Sequence, residues 1–321
     1  WVEEYTAPKL LNDKAVTAGE MNVTDVWNTH RLTGTGQIVG VADSGLDIGV
    51  NDGTLHPDFQ GAVLSAYGLG AGRNGDWSDQ YGHGTHVSGS VLGRGTASGG
   101  TYKGVAHDAQ IVFQSVLSSD GSLSGIPADL NDLFSTPYDD GARIHSNSWG
   151  APVSSAYTVD SQAADQFMWD HKDMLLVFAA GNSGADEDDG GIGDGIVDTD
   201  SLCSPGTAKN ALTVGASENE RSGAALLDTY TWYVFGFYSD PLYSDPTTDN
   251  PNGMAAFSSR GPCDDGRMKP DVVGRGNRCG PECVAGTRRK DPGLNRQQMG
   301  GQYQGRNSPF SDIPDNRYPL G

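Results

Sequence analysis

The sequence predicts an α/β fold, a mostly parallel, doubly wound sheet with helices on both faces. Three observations predict it. Short, almost continuously apolar runs recur at wide intervals, helix-forming segments fill the gaps, and polar residues close the runs at their carboxyl ends. A strand covered on both faces loses the in–out alternation of a half-exposed one, so continuous apolar runs point to a buried parallel sheet. The intervening segments supply the crossovers that parallel neighbours need.

In chain order, QIVGVAD (37–43) is the first strand and ends on Asp43, and HGTHVSGSVLG (83–93) is a helix opened by His83. QIVFQSV (110–116) is the second strand, IPADLNDLFSTPY (126–138) a helix, and ARIHSNSW (142–149) a strand containing Asn147. TVDSQAADQFMWDHK (158–172) is a third helix, MLLVFAAG (174–181) runs up to Asn182, and ALTVGA (211–216) is the fifth strand. Functional residues of such sheets gather where strands end at the carboxyl edge, so Asp43, Asn147 and Asn182 are expected on one rim. Two glycine patterns, LTGTGQ (32–37) and GLGAGRNG (68–75), carry no dinucleotide site. The first precedes its strand instead of following it, and neither opens a helix.

With 321 residues the chain holds one large domain, or one domain and part of a second. Its formal charge of −20 argues against nucleic acid or an anionic membrane as partner, and no stretch is apolar enough to span a bilayer. The charge is unevenly spread. Residues 272–321 hold 8 Lys/Arg against 4 Asp/Glu, whereas the rest holds 13 against 37, a step from −24 to +4 that marks a boundary. The four cysteines (Cys203, Cys263, Cys279 and Cys283) form no CxxC and have no His pair at zinc spacing. One disulfide is compatible with them, without an assignable pairing. No signal peptide is recognisable, and a start at WVEEY marks a processed or excerpted piece.

The chemistry lies in three motifs. VADSGLD (41–47) puts Asp43 at the end of a strand, DQYGHGTHVSGS (79–90) puts His83 at the start of a helix, and FAAGNSG (178–184) puts Asn182 on a Gly-flanked turn. Singly, each has an ordinary reading as a turn cap, a satisfied polar residue or a left-handed turn position. Together, and with HPD (56–58), GVAHDAQI (104–111), SNSWG (146–150), SPGTAKNALTVGA (204–216) and FSSRGPCDDGRMKPDVV (257–273), they resemble the subtilisin-like serine proteases. The FSSRGP…KPDVV pairing looks most like the larger secreted bacterial members. The resemblance covers about residues 12–273, and WVEEYTAPKLLND looks like the end of a pro-segment, here residues 1–11, running into the mature enzyme.

That resemblance implies a secreted, extracellular endopeptidase, a monomer that cuts proteins and peptides by Asp-His-Ser acyl transfer, needs no organic cofactor, and has its own pro-segment as inhibitor and folding aid. His83 would be the general base and then the acid, Asp43 its orienter, and Asn182 the side-chain donor to the oxyanion. His86 shares the motif and is read as structural. The stretch SVLSSDGSLSG (115–125), with Ser115 and Leu117, would pair with an extended substrate. Ser146, Trp149, Gly150, Ala179, Ala180 and Gly181 would wall a roomy apolar pocket of broad specificity. In GADEDDGGIGDGIVDTDS (184–201), Asp186, Asp188, Asp194 and Asp198 are candidate calcium ligands, although Gly190 stands where an EF-hand loop needs its third acidic ligand.

The nucleophile is the missing part. The family carries it in a motif like GTSMAxP shortly after KPDVVAPG, but here KPDVV is followed by GRG and no GTS occurs downstream. The only serines after Ser259 are Ser308 and Ser311, and neither has the small neighbours that let a nucleophile open a buried helix. In the family that serine begins a long apolar helix, and residues 274–321 contain no 3.6-period stripe to replace it. The fold is therefore expected to be incomplete at its C-terminal end and poorly stable. The basic tail 274–321 is expected to be disordered or out of frame, and the chain as written inactive. A reading-frame error or truncation in the source sequence is favoured over a pseudoprotease or peptide-binding module without catalysis. A metal hydrolase built on His83 and His86 lacks a third ligand and a HExxH pattern.

Overall fold

The computed structural model describes residue 16 and residues 21–184, 193–218, 239–247 and 249–275. What was expected of residues 1–11 and of the tail beyond Arg275, including Ser308 and Ser311, lies outside the described residues. After a short helical lead-in (Val23–Asp25 and Val26–His30), the elements are β1 (Ile38–Asp43), β2 (Val63–Gly68), α1 (His83–Leu92), β3 (Gln110–Ser115), α2 (Leu130–Asp139), β4 (Ile144–Asn147), β5 (Ala151–Pro152), α3 (Val159–Asp170), β6 (Leu175–Ala179), β7 (Cys203–Ser204), β8 (Leu212–Ser217) and β9 (Val272–Arg275). Seven strands form one sheet in the order β2-β3-β1-β4-β6-β8-β9, every neighbouring pair parallel, and β5 and β7 form a small antiparallel ladder. Among the described residues no helix is long and apolar enough to cross a membrane.

The sheet reverses direction at β1. The chain runs out to β2 and β3 on one side of it, then crosses to β4, β6, β8 and β9 on the other. In register, Asp43 at the end of β1 stands beside Ser115 of β3, and Ala42 beside Asn147 of β4. Strand ends diverge at such a switch point and leave a crevice for chemistry.

Two apolar layers hold the sheet. Leu130, Leu133 and Phe134 of α2 and Phe167 of α3 pack on Leu176 and Phe178 of β6, with Trp149 at the rim. On the opposite face Val39, Val41, Ile111 and Phe113 meet Leu92 of α1 together with Leu46, Leu55 and Phe59. Each large side chain so buried contributes on the order of 1.5–3 kcal/mol. Local signals set the helix ends. Asp129 caps α2 by accepting from Asn131 N at 3.0 Å, so that helix starts at Leu130 and the preceding IPA stays outside it. Thr158 caps α3 by accepting from Ser161 N.

All five expected strands and all three expected helices are present. The expectation of strands covered on both faces holds for β1 and β3, which are buried almost throughout, but not for β6 and β8. Those two alternate between buried and half-buried positions, and Ile144 and Val272 are 40% and 48% exposed. β9 continues two residues past Val273, with Gly274 beside Ala216 and Arg275 beside Ser217.

Candidate active site

Asp43 and His83 come from separate elements and meet at the rim. Strand β1 delivers Asp43 into the crevice with its side chain fully buried, and α1 begins at His83, whose side chain is 39% exposed. His83 Nδ1 lies 2.7 Å from Asp43 Oδ1, which also accepts from Ser44 N at 2.7 Å. Asp43 Oδ2 is buried with no hydrogen-bond partner among the described residues. Burial alone would pull the His83 pKa down. The charge and hydrogen bond of Asp43, with the charge of Asp79 behind them, outweigh it and hold the pKa above the ordinary value. His86, one turn on, moves the other way because burial and the neighbouring His83 both disfavour its charge.

The close approach of the two elements depends on two glycines. A side chain on Gly84 would run into the Gly45 carbonyl and reach 3.0 Å from Asp43 Cβ. Gly82, immediately before His83, has a φ of +87°, in the left-handed region that glycine enters without strain. The sequence DSG…GHG is thus two backbones in contact with no room for a methyl group between them.

Asn182 is exposed on the turn that follows β6, where Gly181 has a φ of +113°. A side chain at Gly181 would overlap Cys203 Sγ and approach Ser259 Oγ to 2.7 Å. Ala179 is half-buried and Ala180 buried, and the segment Ser146 to Gly150, expected to form the other side of a substrate pocket, begins in β4. Trp149 is buried at the rim and donates from Nε1 to the Ala42 carbonyl at 3.1 Å, tying this segment to the residue before Asp43. Asn147, expected on the rim, ends β4 but is buried, and its amide donates to the carbonyls of His145 and Val177.

The edge expected to pair with substrate is drawn largely into the fold. Ser115 is buried and donates to the Ser44 carbonyl at 2.9 Å, and Leu117 is buried as well. Val116 N donates to the Asp43 carbonyl, Gly125 N to the Val116 carbonyl and Ser118 N to the Ser122 carbonyl. This segment therefore braces Asp43 from the β3 side.

Of the four expected calcium ligands, Asp186 and Asp188 lie outside the described residues. Asp194 Oδ1 accepts from Ile196 N at 2.8 Å, and the Asp198 carbonyl accepts from Ser201 Oγ at 3.2 Å. Among the described residues no group of three or more His, Cys, Asp or Glu is arranged to hold a metal ion.

Three residues of the site were not singled out from sequence. Asp79 gathers the backbone around His83, and Ser259 holds the Asn182 turn. Cys203 lies between the segments 146–150 and 179–182, its N donating to the Ala180 carbonyl at 2.9 Å and its Cβ 2.9 Å from where a Gly150 Cβ would sit. Cys203 and Cys263 are buried free thiols. Only the position of Asp79, four residues before His83, offered a signal. The others act across long sequence separations.

Comparison with known proteins identifies the family of the chain. The model of the subtilase family (Peptidase S8) matches residues 34–317. Two serine protease/ABC transporter B family proteins of Dictyostelium discoideum, tagD and tagA, are 29% and 31% identical over 86% and 72% of this chain. Serine protease AprX of Bacillus subtilis (strain 168) is 28% identical over 84% of it. The chain spans only 18% and 14% of the two Dictyostelium proteins and 52% of AprX. Among solved structures, the CspB protease of Clostridium perfringens aligns with a TM-score of 0.56 at 16% identity over 83% of each chain, a likeness of fold. With Asp43, His83 and Asn182 on the rim of this parallel sheet, and the family model matched over most of its length, the chain belongs to the subtilase family of serine proteases.

Proposed function

We propose that the chain carries the proton-transfer half and the substrate walls of a subtilisin-type peptidase site, acting on proteins or peptides, without its serine nucleophile. The observation that carries this reading is the 2.7 Å contact between His83 Nδ1 and the buried Asp43. Asp43 fixes the tautomer with the proton on Nδ1, which leaves Nε2 as the nitrogen that would take a proton from an attacking hydroxyl and return it to the leaving amine. Asn182 would donate its amide to the oxyanion, a role worth roughly 3–4 kcal/mol of transition-state stabilisation in the subtilisin that serves as the standard measured case. No GTS follows Val273, so the chain as written completes no acyl transfer.

Purified chain incubated with casein and with a serine-directed fluorophosphonate probe is expected to show neither turnover nor labelling. Labelling of Ser308 or Ser311 would overturn the missing-nucleophile reading. The coding DNA past codon 273 is expected, in another frame, to encode APG followed by the GTS motif. If all three frames lack it, a protein that binds peptides without cutting them becomes the better account. That second reading is supported by the segments 146–150 and 179–182, which are held in place by the bonds of Trp149 to the Ala42 carbonyl and of Ser183 to Ser259, and calorimetry with apolar peptides tests it directly.

The same reading includes secretion and a structural calcium ion held by Asp186, Asp188, Asp194 and Asp198. A ligand that binds only the folded state stabilises it by about 2.7 kcal/mol at a hundred times its Kd. Chelation with EDTA is therefore expected to lower the melting temperature, and added calcium but not magnesium to restore it. An unchanged melting temperature would remove calcium from the account.

A further inference from the structure

The segment before His83 is laid directly on the segment after Asp43. Leu46 N donates to the Trp77 carbonyl and Asp79 N to the Asp47 carbonyl, each at 2.9 Å. Gly45 permits this contact, because a side chain there would strike the backbone of Ser78 and Asp79. At the centre is the carboxylate of Asp79, which accepts five hydrogen bonds. Oδ1 receives Ser44 Oγ at 2.9 Å, Tyr81 N at 3.0 Å and Gly82 N at 2.7 Å. Oδ2 receives Thr85 N at 2.8 Å and Thr85 Oγ1 at 2.6 Å.

These bonds bracket His83. Gly82 N, just before it, is held by Asp79 itself. Gly84 N, just after it, donates at 2.9 Å to Ser44 Oγ, the hydroxyl that Asp79 orients. The backbone N of that same Ser44 donates to Asp43 Oδ1. One carboxylate thereby ties both members of the pair through their flanking backbone, and charge-assisted bonds of this kind are roughly twice as strong as neutral ones.

We infer that Asp79 is a positioning residue for the Asp43–His83 pair, setting the imidazole in line with the Asp43 carboxylate by clamping the backbone on both sides of His83. This rests on the reading of Asp43 and His83 as the proton-transfer pair. The first turn of a helix frays readily, and an imidazole carried there needs such a clamp to hold one rotamer. Displacements of about 1 Å in such a group cost on the order of a hundredfold in rate. Asp79 also adds its charge to the field at His83. The charged and titratable groups facing that ring are Asp43 from β1, Asp79 from the preceding loop, and His86 from α1 itself.

The test needs no catalysis. In the full-length chain labelled with nitrogen-15, NMR follows the His83 titration and the downfield Nδ1–H resonance of its bond to Asp43. Asp79→Asn is expected to lower the His83 pKa and to lose the Nδ1–H resonance to exchange. Ser44→Ala, which removes the link without changing charge, is expected to lose the resonance as well. If both variants keep the resonance and Asp79→Asn only lowers the pKa, Asp79 is a distant charge and the positioning role is overturned. Should Asp79→Asn not fold, by far-ultraviolet circular dichroism, Ser44→Ala decides alone. Asp43→Asn separates the two levels. If it leaves His83 unaffected, the pair itself is misread and the inference falls with it. If it acts while the Asp79 and Ser44 variants do not, only the inference falls.

Discussion

Ser259 holds the turn of Asn182 from both sides. Its backbone N donates to the Gly181 carbonyl at 3.0 Å, and its hydroxyl oxygen accepts from Ser183 N at 2.9 Å. Ser259 is fully buried, so neither contact is exchanged with water. Asn182 itself is exposed, which means the geometry of an otherwise open turn is set by a residue from a distant loop. Ser259→Ala leaves the Ser183 N–H without its acceptor. A buried unsatisfied donor costs about 1–3 kcal/mol, and Ser183 is half-buried, so the loss belongs at the low end, about 1 kcal/mol. The urea midpoint is expected to fall by that loss divided by an unchanged m-value, which equilibrium unfolding measures. A midpoint equal to that of the parent chain would mean that water replaces the hydroxyl.

A second consequence concerns acid. His145 lies wholly inside β4, with Nε2 3.1 Å from Gln114 Oε1 and Nδ1 buried without a partner among the described residues. Burial drives its pKa down to about 3, against an opposing pull from the neighbouring Asn147. The unfolded chain, near 6.5, then binds a proton that the folded chain refuses. The stability this neutral imidazole contributes is complete above pH 6.5 and is lost as pH falls towards 3, at about 1.4 kcal/mol per pH unit. His145→Gln is expected to flatten that part of the stability–pH curve, measured by urea unfolding between pH 4 and 7. Parallel curves for the two proteins would contradict it.

These two residues show what could be read from the chain beforehand. β1, β3 and the run into Asn182 were legible because burial leaves an apolar stretch that periodicity detects. β2 was not, since VLSAYG is an edge strand, half-exposed beyond Val63 and broken by Ser65 and Tyr67. β9 was not, since its Val272 and Val273 lie at the opposite edge and are about half exposed. Asp43 and His83 stood out through their motifs and their order in the chain. Ser44 and Asp79 are 35 residues apart, and Ser183 and Ser259 are 76 apart. No local pattern encodes such pairings, because they exist only once the strands are in register.

A third expectation concerns the edge strand. Lys269 is buried, its Nζ donating to Asp271 Oδ2 at 2.6 Å and to the Ala211 carbonyl at 2.8 Å, and Asp271 Oδ2 also accepts from Thr213 N at 2.7 Å. This arrangement fastens β9 to β8 just before their paired residues begin. Removing one partner strands a buried charge, which costs about 3–5 kcal/mol in closed sites. Asp271 is 35% exposed, so water relieves part of this and Asp271→Asn belongs at the low end, near 3 kcal/mol. Hydrogen exchange is expected to show β9 and β8 opening together in that variant. A Lys269→Met, Asp271→Asn double variant is expected to recover part of the loss, and additive losses would mean that the two groups are not coupled.

The close contact of β1 and α1 supplies the last prediction, and α1 contains its own control. Alanine normally favours a helix over glycine by roughly 0.5–1 kcal/mol. At Gly89 a methyl group meets only Phe59 Cζ at 3.9 Å, so Gly89→Ala is expected to be neutral or stabilising by that amount. At Gly84 the same methyl runs into the Gly45 carbonyl and stands 2.9 Å from Gly45 N. Both obstacles are backbone, so no rotamer change relieves them and α1 must shift away from β1. The shift lengthens the contact between His83 and Asp43, which is what raises the His83 pKa against the pull of burial. Gly84→Ala is therefore expected to lower both the melting temperature and the His83 pKa, while Gly89→Ala lowers neither. If Gly84→Ala instead gains helix stability and leaves the His83 titration in place, β1 and α1 are farther apart than the contact described here, and the pair is not held by backbone packing.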